Sequence, residues 1–460
     1  MKSRLFMLVM VAMTLAFSAC GGNSAPTPPP AAANEWAWKN GANIANQWGT
    51  YGNVGVPDAD QVPGGRQQAA GWVDKAGTFW LFGGYGYDAD GHSGLLNDLW
   101  SYGSGEWTWM SGVNVAGESG IYGTQGVAAL TNVPGARSGA VTWTDAEGNL
   151  WLFGGYGYGA STANVNVLND LWEYSAGQWT WMGGSSANAQ PGTYGTPGVS
   201  APTNIPGARR NAIAWTDSAG NFWLFGGNGV ASPGNYGDLN DLWEYSAGEW
   251  TWISGSNVAN QQGVYGSEGT AAPDNVPGAR FGAVSWTDAS GNLWIFSGSG
   301  YDSTGANGNL NDLWEYSAGQ WTWMGGSNLS DEPGTYGTLG SSAPGNIPGA
   351  RNGAVKWIDA AGNLWLAGGS GYDSMDAAGW LNDLWEYSAG QWTWVSGSNV
   401  NGQSGAYGTM SGAAPGNVPG ARSLGVGWTD AHGNLWLYGG NGVDSLGTAG
   451  YLNDSWEYNP

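Results

Sequence analysis

The chain has 460 residues, among them 84 glycines and 32 tryptophans, and its formal net charge is −23. So acidic a balance excludes nucleic-acid binding, which needs cations to neutralise phosphates, and leaves metal cations and basic partners as the charged ligands the surface would attract. Many glycines and aromatics with few charges read as short strands joined by tight turns, and a single cysteine excludes an intrachain disulfide framework.

The chain opens on a leader. Lys2 and Arg4 form a basic start, residues 5–17 are apolar, and small Ser18 and Ala19 precede Cys20. This reads as a signal peptide over residues 1–19 rather than a spanning helix. Small residues before a cysteine resemble the lipobox of bacterial lipoproteins, which implies lipidation of Cys20; Phe17 departs from that pattern. Gly21 rather than an acid after the cysteine resembles outer-membrane routing. Residues 20–34, rich in Pro, Ala and Ser, read as a tether. The expectation is an exported, lipid-anchored protein on the outer membrane or cell surface, touching membrane only through its lipid.

From Pro63 onward the chain repeats. A Pro-Gly-(Ala/Gly)-Arg turn places Arg66, Arg137, Arg209, Arg280, Arg351 and Arg422 at intervals of 71 or 72 residues. Four strand-like runs follow each arginine. In the second copy the first run ends at Trp143, and a turn through Gly148 leads to Leu150-Trp151-Leu152-Phe153, which closes on Gly154-Gly155. A variable loop leads to Leu168-Asn169-Asp170-Leu171-Trp172-Glu173-Tyr174, and a Ser-Ala-Gly turn brings in Trp179-Thr180-Trp181. Runs apolar at every position imply strands covered on both faces, as in radially stacked blades. Five tryptophans per copy account for 30 of the 32 and read as core.

The last copy stops after its third run at Trp456, and Trp36-Ala37-Trp38 is an orphan fourth run. The arrangement predicts an all-β, six-bladed β-propeller over residues 35–460, with four antiparallel strands per blade and the ring closed by the N-terminal strand. The Gly-Gly pair ending the second run, followed by aromatics in the third and fourth, resembles the kelch repeat. Ser297 replaces the first glycine in the fourth copy. The resemblance implies a fold similar to the central propeller of galactose oxidase and a class whose members mostly bind other molecules. His92 and His432 are the only histidines, too few for the copper site of that oxidase.

The repeat arginines read as structural bridges to an aspartate of their own copy, such as Asp170, with Glu173 nearby; the alternative is an anion-binding ring at the channel mouth. The loop after the second run varies between copies and lies on the face of the long loop before each arginine. Trp48 and Trp380 stand outside the tryptophan register, in loops of that face. With Tyr301 and Tyr372 they are the candidate ligand-binding residues. Asp88 and Asp90 begin like a calcium loop, but Leu99 stands where its closing Glu belongs; calcium is the one cofactor kept open, and none is otherwise expected. No catalytic motif is present. The reading is a monomeric binding or scaffold module for a protein or glycan, set against a carbohydrate-active enzyme using loop carboxylates and, third, a purely structural envelope component.

Overall fold

The first strand alternates in four of the six copies. In Val141–Thr144 the side chains of Val141 and Trp143 are buried while Thr142 and Thr144 are partly open. The turn that follows is made by Asp145, whose Oδ1 accepts the backbone N–H groups of Glu147 (3.1 Å) and Asn149 (2.8 Å), with Gly148 at φ 92°. Its Oδ2 receives the indole N–H of Trp151 at 2.9 Å, tying the turn to the next strand.

A computed structural model describes residues 34–161 and 164–460. Cys20 and the leader lie outside them, as does the tether through residue 33. The described chain is strand and turn with no helix. Each copy forms an antiparallel sheet, divided in two in the fourth copy; in the second the strands Val141–Thr144, Leu150–Tyr158, Val165–Ser175 and Gln178–Gly183 pair in succession. A two-residue strand, Arg137–Ser138, pairs with the far end of the second, Arg137 opposite Gly157.

The second strand does not end at its glycine pair. Gly154 and Gly155 sit at φ 67° and 101° and shift the register within a strand that continues to Tyr158. A Cβ on Gly154 would lie 2.8 Å from the carbonyl oxygen of Arg209 and 2.9 Å from that of Leu168, so the pair is a bulge that only glycine makes without cost. Beyond it the second and third strands run on toward the loops as a two-stranded arm. Ser297 holds the same bend at φ 68°, and there the second strand is interrupted into Leu293–Phe296 and Ser299–Tyr301.

The first and last described strands meet. Glu35–Asn40 pairs with Ala449–Asn459, with Trp36 opposite Tyr458, Trp38 opposite Trp456, and Lys39 2.9 Å from Glu457. Neighbouring sheets pack through aromatics: Trp72 joins Leu152, Trp172 and Trp179 of the next copy, and Trp428 stacks on Phe79 at 3.8 Å. The inner tryptophan of each fourth strand is buried, whereas the outer one, such as Trp109 or Trp181, is half-buried beside a loop tyrosine.

One residue after the position that follows each repeat arginine, the backbone enters the left-handed region. Gln68 N donates to Leu424 O, Leu424 to Gly353, Gly353 to Gly282, Gly282 to Asn211, Asn211 to Gly139, and Gly139 back to Gln68, all at 2.7–2.9 Å. This circuit of six bonds passes once through every copy, and the antiparallel sheets form an array of β-propeller kind.

Ser297 carries a side chain where its counterparts have none, and its buried hydroxyl has no hydrogen-bond partner. Replacement Ser297→Gly is expected to stabilise the protein by about 1 kcal/mol, by removing left-handed strain and an orphaned hydroxyl. Urea unfolding measures it, and unchanged or lower stability contradicts the strain argument.

Candidate functional site

The repeat arginines lie inside the sheets, not on an open mouth. Arg137 donates through Nη1 and Nη2 to the two carboxylate oxygens of Asp170 at 2.7 and 2.8 Å, through Nη1 to the bulge carbonyl of Gly154 at 2.9 Å, and through Nε to Gly135 O at 2.9 Å. The other five arginines fork in the same way onto Asp98, Asp241, Asp312, Asp383 and Asp454, with side chains at most 3% exposed. Tyr122 of the preceding long loop and Trp172 add donors to Asp170 Oδ2 at 2.6 and 2.7 Å. Burial and then Asp170 hold the Tyr122 phenol far above its ordinary range, so it stays a donor. Burial opposes the charge on Arg137, and Asp170 more than offsets it. Glu173 is not part of this fork.

The loop acids are also occupied. Asp88 Oδ1 accepts from Asp90 N and His92 N at 2.9 and 2.8 Å, and its Oδ2 from Ala116 N at 3.1 Å. Asp302, Asp373 and Asp444 bind backbone amides of both loops in the same manner. These carboxylates clamp the variable loop to a long loop beside it, which explains a calcium-like Asp-x-Asp without the closing ligand. His92 and His432 are largely exposed on turns.

The variable side chains converge on the arms beyond the bulges. Three positions per copy pair there: the residue after the repeat arginine, one on the second strand and one on the third. They are Gln67, Tyr85 and Leu95 in the first copy, Arg210, Asn228 and Asp238 in the third, and Asn352, Ser370 and Trp380 in the fifth. Contacts then run from copy to copy. Tyr85 and Tyr451 lie 5.7 Å apart, Arg210 stands over the ring of Tyr156 at 5.2 Å, and Asn352 Nδ2 donates to Asn309 Oδ1 at 2.8 Å. Asp238 accepts from Asn228 at 2.7 Å and from Asn307 at 3.3 Å; burial raises its carboxyl above the usual range against these bonds and Arg210. Arg210 Nε is buried without a hydrogen-bond partner.

Of the four candidate residues, Trp380 sits on the third strand Ala378–Ser388 and not in a loop, because that strand starts earlier than its Leu-Asn-Asp core suggests. Tyr301 ends the short strand Ser299–Tyr301, and Tyr372 ends Leu364–Tyr372. The Tyr372 phenol is raised by burial and by Asp331 and Asp376. Trp48 is in a loop, 60% exposed, its indole against Gly91 of the first variable loop. Trp48 and Trp380 belong to different copies. The residues after the arginines were missed in the sequence, although their change from Gln to Ser, Arg, Phe, Asn and Ser beside a constant arginine was the available signal.

Beneath the hydrogen-bonded circuit the first strands of all six copies line a cavity of about 280 Å³, continuous through Gly71, Thr142, Ala214 and Lys356 with a wider one of about 560 Å³.

No family model matches the chain, and no curated protein matches it. Among solved structures, that of YjhT aligns at 14% identity with a TM-score of 0.47, covering 88% of this chain and 95% of that one. A fungal alcohol oxidase of the AA5 family in complex with copper aligns at 14% identity with a TM-score of 0.43, over 92% and 71%.

In Arg137→Met the Asp170 carboxylate stays buried with only Tyr122 and Trp172, and the expected loss is about 3–5 kcal/mol of stability. Adding Asp170→Leu is expected to cost much less than the two single changes summed. Urea unfolding of the four-member cycle checks this, and additivity would rule out the coupling.

Proposed function

We propose that the chain is an exported, lipid-anchored, monomeric six-bladed β-propeller of kelch type that binds a glycan on the face where the strand arms meet. Support for six blades in a ring comes from the hydrogen-bond circuit through every copy and the pairing of the first and last described strands. The observation that carries the binding reading is the composition of the arms. Tyr85, Tyr156, Trp380 and Tyr451 offer ring faces, and Asn228, Asp238, Asn352 and Arg210 offer hydrogen-bonding groups between them. Flat apolar rings beside amides and a carboxylate match the alternating faces and hydroxyls of a sugar. They stand on strands rather than on free loop tips, which holds them in place for recognition. A protein ligand would use the same aromatic anchors.

The enzyme reading, in which loop carboxylates act on a carbohydrate, has less support. Asp88, Asp302, Asp373 and Asp444 accept several backbone amides each, which commits them to holding loops. Asp238 is the acid on this face with the environment of a proton-transfer group.

Glycan-array screening with product analysis is the test. Retention without turnover is expected, and Trp380→Ala is expected to weaken retention about tenfold or more, as for a central aromatic anchor, with melting nearly unchanged. Turnover of the retained glycan would replace the binding reading by the enzymatic one. Undiminished retention by the variant would remove Trp380 from the site.

A further inference from the structure

At one level of the central cavity the first strands present Gly71, Thr142, Ala214, Ser285, Lys356 and Gly427. The hydroxyls of Thr142 and Ser285 donate to backbone carbonyls of the copy before them, Gly71 O at 2.9 Å and Ala214 O at 3.1 Å. Lys356 fills the same position in the fifth copy: its Nζ donates to Ser285 O, and to Ser285 Oγ at 3.0 Å. A serine would make that backbone bond. The lysine adds a charge, and the chain has few cations to spend, with 12 Lys and Arg against 35 Asp and Glu.

That charge has no counterion of its own. Among the described residues Lys356 forms no ion pair, unlike Lys39 and the six repeat arginines. The residues lining the cavity from the other five copies are Gly, Ala, Val, Ile, Ser, Thr and Trp, none of which titrates as an acid near neutral pH. The Thr142 and Ser285 hydroxyl hydrogens are committed to carbonyls, so the ammonium is the charged donor facing the space. On one side the cavity is narrowed by the six-bond circuit, across which Gln68 Nε2 donates to Asn211 Oδ1 at 3.1 Å. On the other it widens between Thr144, Thr216, Thr287 and Ile358. An ammonium only partly open to water and met by neutral oxygens alone is costly to keep charged, and a compact anion seated against it lowers that cost.

We propose that the cavity beside Lys356 is a binding site for a small monovalent anion of the chloride or short-carboxylate class, independent of the ligand taken by the strand arms. The anion sits against Nζ in the tier of Thr142, Ala214 and Ser285, and completes the interior electrostatics of the channel. Burial pulls the Lys356 ammonium down to about 8 from an ordinary 10.5. Between those values the unfolded chain binds the extra proton, so the anion-free protein gains stability as pH rises through that window. Anion binding acts the other way: it stabilises the protein below pH 8 and fades above.

Two measurements on the protein test this. Crystals grown in sodium bromide are expected to show an anomalous peak within about 3.5 Å of Lys356 Nζ, the reach of a charge-assisted hydrogen bond to a large halide, and none in Lys356→Met. In solution, exchange of gluconate for chloride at constant ionic strength and pH 7 is expected to raise the melting temperature by about 1–2 °C, as weak binding predicts. The rise should vanish at pH 9.5 and in Lys356→Met. Should that variant fail to fold, Lys356→Ser keeps the bond to Ser285 O and replaces it. An empty cavity in the bromide map, a peak without the chloride effect, or an equal chloride effect in the variant each overturns the proposal.

Discussion

A guanidinium with no access to water must place its donors inside the protein, and each repeat arginine does so in one way. Arg137 reaches back to the turn at Gly135, across to the bulge at Gly154 and over to the third strand at Asp170. Asp170 in turn receives the loop tyrosine and Trp172. A single planar fork thus sets where the chain turns, where the second strand bends and how the long loop lies. Buried pairs of this kind contribute little net stability compared with apolar residues of the same volume. Here the fork defines one geometry, because its donors match only one arrangement of carbonyl and carboxylate.

The bend carries the functional geometry. Without the glycine bulge the second and third strands would end at the packed core. With it they continue as paired arms, which bring variable positions into contact from one copy to the next. Strain gathers at the same level: Gln68, Asn211 and Leu424 hold left-handed backbone that glycine holds in the other three copies. Their side chains occupy the centre of the circuit, where a Cβ on Gly353 would meet Leu424 at 2.6 Å. The arms and the inner cavity are therefore separate environments, one aromatic and amide-rich, the other small and lined by first strands.

The acids divide by the same logic. Those of the turns and variable loops gather backbone amides, and those beside the arginines gather charged and phenolic donors. Asp238 belongs to neither set. It stands among Asn228, Asn307 and Arg210, and burial raises its proton affinity. An acidic surface of this kind is largely a by-product of how turns and sheets are fastened, and the chemistry open to a ligand rests on a few side chains of the arms.

Period, composition and order of runs were enough to read an all-β chain of repeated antiparallel sheets, since tryptophan at fixed spacing and apolar runs without alternation have no other way to leave water. Pairing of Trp36 with Tyr458 was legible because the last copy lacks the run the first supplies. Extension of the second strand past Gly154 was not, since a glycine pair reads as a stop in one dimension and only the opposing third strand shows that pairing resumes. The place of Trp380 on a strand followed from the same extension. The convergence of Arg210 with Tyr156, of Asn352 with Asn309, and the solitude of Lys356 were decided by tertiary structure alone: side chains more than 40 residues apart become neighbours only when sheets pack side by side, and a charge is uncompensated only with respect to what surrounds it in space.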